Sequence, residues 1–236
     1  MPAWLSRTTP PLLLAALLAA GAAQAEDASR HMAPGFTSRP AGSKLVVIPA
    51  DMELYSISAG GVVEPRADWT EAAQKNLREA LEGQRKLLGP ELAVLDAEAA
   101  DELADILALE RAVASAIALH HRNGGMKLQT KSDRLDWSLG DAVKPLKERT
   151  GADYALFSWV RDSYASGERK VAMLALALMG AISVGGEQVG HASLVDLNTG
   201  RVVWFNEINR MSGDLREAAP AKETVEVLLK DFPVLK

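Results

Sequence analysis

Four histidines, a large set of carboxylates and scattered serines are the side chains of this 236-residue chain with the means to do chemistry. Their spacing argues against most of it. His120 and His121 are adjacent, so on a helix they point about 100° apart and cannot close on one metal as an i, i+4 pair does. With Arg122 they suit the negative end of a helix dipole. His31 falls in a stretch of mixed composition and His191 opens a strand pattern, so no metal site and no cofactor site is expected. There is no cysteine, which excludes disulfides, thiolate zinc, cysteine catalysis and lipid attachment at an N-terminal cysteine. No G-x-S-x-G elbow is present for a serine nucleophile. Gly185-Gly186-x-x-x-Gly190 lacks the G-K-[ST] ending of a phosphate loop, and Asp133 with Asp136 lack calcium-loop spacing. The acids are too many for sequence to single out a glycosidase-type pair, so no catalytic residue is named.

Two polar clusters remain. Trp159-Val160-Arg161-Asp162-Ser163-Tyr164 closes an aromatic-rich strand pattern, and Ser212-Gly213-Asp214-Leu215-Arg216 reads as a turn. Arg161 or Arg216 can pair with Asp162, Asp214 or Glu207, and ordering of loops is the ordinary use of such residues beside glycine. Trp159, Tyr164, Trp204 and Phe205 could form a binding surface, though aromatics on hairpins are also ordinary core.

The compartment is read from residues 1–25. Arg7 precedes the apolar run Pro11 to Ala20, and Ala23-Gln24-Ala25 has the small-x-small pattern cut by signal peptidase. That run is about half of the roughly 20 residues a spanning helix needs. A cleaved leader, a mature start near Glu26 and a periplasmic destination are expected, with secretion as the alternative. A net charge of −5 makes nucleic acid a poor partner. Without disulfides the body must be stabilised by its core, which a composition 48% apolar can supply.

Residues 26–43 mix charge, Pro, Gly and Ser without a period, so a flexible tail is expected before a single domain over 44–236. KLVVIPA from Lys44 predicts a buried strand ended by Pro49. A helix over 68–88 follows, begun by Asp68 with Glu71 as a capping box and stopped by Gly89-Pro90. Leu92 to Leu95 is a short strand, 98–122 a long helix, and 138–149 a third helix started by Ser138 and Asp141. Asp153 to Ser163 reads as a central strand. His191 to Leu197 and Arg201 to Ile208 flank D-L-N-T-G as a hairpin. Pro220 sits in the first turn of a last helix. Strands alternating with helices and a closing antiparallel pair predict a layered α/β domain, its mixed sheet flanked by helices.

Val171 to Val184 carries no charge over 14 residues. Burial in the core is the more frequent fate of such a run, by about two to one. The other reading is an interface, centred on Met173, Leu174, Leu176, Leu178 and Met179, with Arg161, Asp162, Asp214 and Arg216 as polar companions.

GADYALFSWVRDSYA, a following apolar stretch and ASLVDLNTGRVVWFNEI together resemble bacterial envelope proteins related to the curli-secretion lipoprotein CsgG, the penicillin-binding-protein activator LpoB and the N-terminal domain of TolB. The resemblance covers about a quarter of the chain, over 151–208. It implies a layered α/β domain used for protein association and not catalysis. The lipid-attachment cysteine and amphipathic barrel hairpins are lacking, so lipid anchoring and pore formation do not carry over. The sequence therefore points to a periplasmic, non-enzymatic envelope accessory protein. Its expected partners are another envelope protein, a second copy or a membrane surface. An exported hydrolase with a carboxylate-based site is the alternative.

Overall fold

The structure, a computed structural model, describes residues 30–122, 126–180 and 185–236. Its strands are β1 (Leu45–Val47), β2 (Asp51–Ile57), β3 (Val63–Pro65), β4 (Leu92–Val94), β5 (Trp137–Ser138), β6 (Tyr154–Ala165), β7 (Gln188–Asp196) and β8 (Arg201–Arg210). The helices are α1 (Ala67–Gly83), α2 (Arg85–Leu88), α3 (Ala97–Glu102), α4 (Ala104–Ile117), α5 (Lys144–Thr150), α6 (Gly167–Leu178) and α7 (Ala218–Leu228).

β6 is long enough to serve two neighbours along one edge. β1 pairs in parallel with Tyr154 to Leu156, and β2 pairs in parallel with Trp159 to Ala165. Pro49 lies in the step between them, where it cannot donate to the ladder. The expected strand end at Pro49 is therefore an interruption, and the chain resumes at Asp51. DMELYSI alternates half-buried and buried positions along its whole length, a period-two signal that Pro49 obscured. The path β3-β2-β6-β7-β8-β5 completes a mixed eight-stranded sheet, with β4 reached through β1.

Alternation along β6 feeds two cores. Leu156 and Val160 face one side with Leu54, Leu77, Trp204 and Val225, where α1 and α7 pack. Ala155 and Phe157 face the other with Ile48, Ile106, Ile117, Leu146 and Phe205, where α4 and α5 pack. The layered α/β class, the mixed sheet and the C-terminal hairpin followed by a helix are all as expected. In the hairpin turn Asp196 accepts from the Asn198 N–H at 2.8 Å and the Thr199 hydroxyl at 2.9 Å. Gly200 follows at φ 72°, a conformation that favours glycine. The Asn206 amide donates to the carbonyls of Val227 and Leu228 at the end of α7, groups that a helix terminus leaves unpaired.

The helices differ in detail. The 68–88 helix is two, α1 and α2, divided at Gln84. Arg66 occupies the cap position without a side-chain cap bond, while Asp68 pairs with Arg66 at 2.8 Å, so the capping box does not form. The 98–122 helix begins earlier, capped by Asp96, which accepts from the Ala99 N–H at 2.7 Å. It breaks at Leu103 and ends in a π-helical turn, Ala118–Arg122. Ser138 belongs to β5, and a 3-10 turn, Gly140–Val143, leads into α5.

The described part of the expected tail is docked. Met32 bridges Trp204 and Arg39 bridges Leu235. The His31 imidazole meets the Phe205 carbonyl at 3.0 Å. Arg39 is fully buried and donates to the carbonyls of Leu88 (2.7 Å), Leu87 (2.9 Å) and Pro233 (3.1 Å). Burial holds its pKa down at about 10, so it stays charged at neutral pH. One charged side chain thus ties residues 30–43 to the end of α2 and to the C-terminus.

Candidate interaction site

The connection between β6 and β7 carries the most unusual surface of the molecule. At its base Ala165 donates to the Gly185 carbonyl at 2.6 Å and Ser163 to that of Glu187 at 3.0 Å. The Glu187 N–H returns a bond to the Ser163 hydroxyl at 3.0 Å. Gly186 runs so close to Ser163 that a Cβ there would overlap the Ser163 carbonyl. From this clasp the chain turns into α6, where the Ser166 hydroxyl caps the helix by accepting from the Arg169 N–H at 3.2 Å. Arg169 also donates to the Ser58 carbonyl at 3.3 Å.

No residue of α6 is buried. Val171 is 70% exposed, Leu174 65%, Leu178 84% and Met179 75%, and Leu176 is also exposed. Met173 is half-buried. The core reading of 171–184 is corrected for the described residues: α6 leaves the sheet as an arm, because β6 and β7 already use their faces on α1, α4 and α7. Residues 181–184 of that run lie outside the described residues.

Beneath the clasp lies a polar network facing α1 and α7. Asp162, 2% exposed, accepts from the Tyr164 hydroxyl at 2.5 Å and the Gln188 amide at 2.6 Å. Gln188 in turn accepts from Arg210 at 2.9 Å and Thr224 at 3.1 Å. Arg210 extends to Glu223 at 2.8 Å. Burial pushes the Asp162 carboxyl up to about 6, against the pull of its two donors, and burial with the adjacent carboxylate raises the Tyr164 phenol. The Leu215 N–H donates to the Tyr164 oxygen at 2.8 Å. Next to it the Arg216 guanidinium lies 4.0 Å from the Tyr164 ring centre and 4.4 Å from that of Trp69, paired with Asp214 at 2.6 Å. Burial works against ionisation of Asp214, yet its bonds to Arg216 hold the carboxyl below the usual carboxylate range. A cleft of about 110 Å³, bordered by Asp162, Tyr164, Gly186, Gln188 and Gly213, opens between clasp and loop.

The structure thus brings Asp162, Asp214 and Arg216 together through Tyr164 under the arm that carries Met173, Leu174, Leu176, Leu178 and Met179. Arg161 does not join them. One step along β6 reverses its face, and it pairs with Asp51 at 2.8 Å and Glu53 at 3.8 Å. Glu207 pairs with Arg122 at 3.3 Å. The aromatic surface suggested for Trp159, Tyr164, Trp204 and Phe205 is dispersed, since Trp204 and Phe205 are fully buried. Trp69, Gln188, Arg210 and Thr224 complete the network without any local spacing to announce them.

On the opposite face Glu110 is buried and accepts from the Ser193 hydroxyl at 2.5 Å. Burial raises its carboxyl to about 7. His191 stacks between Trp159 (5.4 Å) and Phe205 (5.6 Å), and burial lowers its pKa to about 4. Among the described residues no group of three or more His, Asp or Glu is placed to hold a metal. Among them, too, no helix is long and apolar enough to cross a membrane.

The class so defined is a layered α/β domain with an apolar arm between two central strands. No family model and no curated protein matches the sequence. Among solved structures the chain is similar to the PelC dodecamer from Paraburkholderia phytofirmans, at 14% identity over 87% of this chain and 95% of that one, with a TM-score of 0.41. It is also similar to the LpoB C-terminal domain from Salmonella enterica, at 13% identity over 76% and 88%, TM-score 0.30. A third likeness is to lipoprotein GNA1162 from Neisseria meningitidis, at 13% identity over 72% and 81%, TM-score 0.30. LpoB, which the sequence motifs resemble, is thus among these structures, while the resemblance to CsgG and TolB rests on the motifs alone.

Proposed function

We propose that this is an exported, non-enzymatic accessory protein of the bacterial envelope that acts by contact through its α6 arm. One observation carries the reading: the exposed apolar side chains of α6, from Val171 to Met179, held away from both cores by the clasp at Ser163 and Gly186. Contiguous exposed apolar surface of this kind marks an interaction site. The leader pattern over residues 1–25, which lies outside the described residues, supports a destination in the periplasm. The polar network serves as the rigid base of the arm, with each of its charges met by a partner.

A carboxylate-based hydrolase draws less support. The cleft beside Asp162 has about 110 Å³, against the ~300 Å³ at which ordinary small-molecule sites begin, and in the larger groove of about 560 Å³ along β2 the carboxylates of Asp51 and Glu53 are paired with Arg161. Asp162 and Asp214 are likewise engaged by neighbours.

Envelope fractionation of the producing bacterium tests the reading. The wild-type chain is expected to sediment with envelope material. The Leu176→Asp/Leu178→Asp chain should move to the soluble fraction with its melting temperature unchanged, because exposed positions away from packing alter stability by ~0.5 kcal/mol or less. Equal sedimentation of the two proteins refutes contact through the arm.

A further inference from the structure

The outer half of the arm is apolar all the way round. Residues 174–180 are exposed without exception, and their side chains are Leu174, Leu176, Leu178 and Met179 with alanine and glycine between. A helix that docks in a protein groove buries one stripe and keeps a polar face for water. From Val171 onward this helix has no polar face to keep. Covering it fully takes surroundings that are apolar on every side, as lipid acyl chains are.

The dimensions and charges agree. From Val171 to Leu178 the helix rises about 12 Å at 1.5 Å per residue, within the ~15 Å of hydrocarbon in one leaflet and far short of a bilayer. Charge stops where the apolar run starts: Glu168, Arg169 and Lys170 stand at its base, and nothing charged follows until Glu187. Lys170, exposed at that level, sits where phosphate headgroups lie and can extend toward them along its aliphatic stem, while Arg169 is held by the Ser58 carbonyl. Ser166 and the Ser163–Glu187 clasp hold the base polar and fixed to the sheet.

We propose that α6 inserts tip-first into a single leaflet of a phospholipid membrane, with Leu174, Leu178 and Met179 among the acyl chains and Lys170 at the headgroups. This deepens the contact reading and rests on it, by naming what the arm touches.

The chain has no cysteine, so Leu178→Cys in the full protein, produced with its own leader, creates a single site for an environment-sensitive fluorophore. It is mixed with vesicles of phosphatidylethanolamine and phosphatidylglycerol at 3:1. Insertion predicts a blue-shifted emission that saturates with lipid and is quenched by bromine on the acyl chains. Adding Leu174→Asp should weaken vesicle binding at least tenfold, since burying one leucine is worth more than that factor and aspartate resists burial. Emission that stays at its aqueous value at every lipid concentration overturns the proposal. Emission already blue-shifted without lipid, in a protein that sediments as an oligomer, also overturns it and assigns the arm to a second copy, leaving the contact reading in place. No lipid binding by the labelled Leu178→Cys protein together with no envelope sedimentation of the wild-type chain sinks the two together. Should Leu174→Asp fail to fold, the labelled Leu178→Cys protein alone decides, because its arm is otherwise intact.

Discussion

Replacing Glu110 with glutamine isolates a single buried ionisation. Glu110 lies on the α4 face that meets β7, 6% exposed, with the Ser193 hydroxyl 2.5 Å from its carboxylate. Arg111, next in sequence, turns instead to Asp51 at 2.5 Å. Desolvation dominates, and the Ser193 bond and the Arg111 charge recover only part of it, so the carboxyl rises from 4.5 to about 7. Between those two pH values the folded protein holds a proton that the unfolded chain has released. Stability therefore falls as pH rises through this window. At ~1.4 kcal/mol per pKa unit the loss is about 3 kcal/mol, complete by pH 8. Glutamine keeps a carbonyl oxygen for Ser193 and never ionises. Urea unfolding followed by tryptophan fluorescence at pH 4.5 and pH 8 measures the difference between the two proteins. Near pH 4.5 they should unfold at similar urea concentrations, and at pH 8 the Glu110→Gln protein should be more stable by about 3 kcal/mol. His191, lowered to about 4, contributes with the opposite sign, because below its ordinary value the unfolded chain takes up the proton first. Its contribution is the same in both proteins, as is that of Asp162, whose raised carboxyl acts with the sign of Glu110, so both cancel in the difference. A difference that does not change with pH would refute the assignment of a buried, protonated Glu110.

Two further substitutions probe the attachments. Arg39→Met keeps most of the buried volume but strands the carbonyls of Leu87, Leu88 and Pro233, and should cost about 3 kcal/mol, or a melting temperature lower by roughly 9 °C. A drop of less than about 2 °C would mean that residues 30–43 contribute nothing through this side chain. Gly186→Ala drives a methyl group into the Ser163 carbonyl. It should open the clasp, cost about 2 kcal/mol as overpacking does, and speed proteolytic cutting near 185–187. Unchanged melting and cutting would show that the base of the arm is not rigid.

Much of the scaffold was legible in residue order because its causes are local. Apolar recurrence at Ala73, Leu77 and Ala80 marks the buried face of α1, and the Asp196-Leu197-Asn198-Thr199-Gly200 turn states its hairpin in its own side-chain bonds. DMELYSI shows how a local signal can be masked: Met52 and Leu54 alternate properly, yet Pro49 just before them reads as an end. Its missing N–H breaks the ladder for one step without turning the chain away. The docking of residues 30–43 was not legible, since Arg39 reaches Leu88 and Pro233, 49 and 194 positions away. Nor was the network, whose members Trp69, Asp162, Gln188, Arg210 and Thr224 come from five separate elements or their connections.

Residue order alone determined that the body carries no disulfide, that strands alternate with helices before a closing hairpin, and that 171–184 is a chargeless run. Tertiary structure alone decided whether that run is core or surface. A buried helix and an exposed one can share the same alanine, leucine and methionine content, because transfer from water depends on what stands opposite each side chain and not on its neighbours along the chain. Here the sheet faces beside β6 and β7 are filled by α1, α4 and α7, and the described part of the run, 171–180, was left outside.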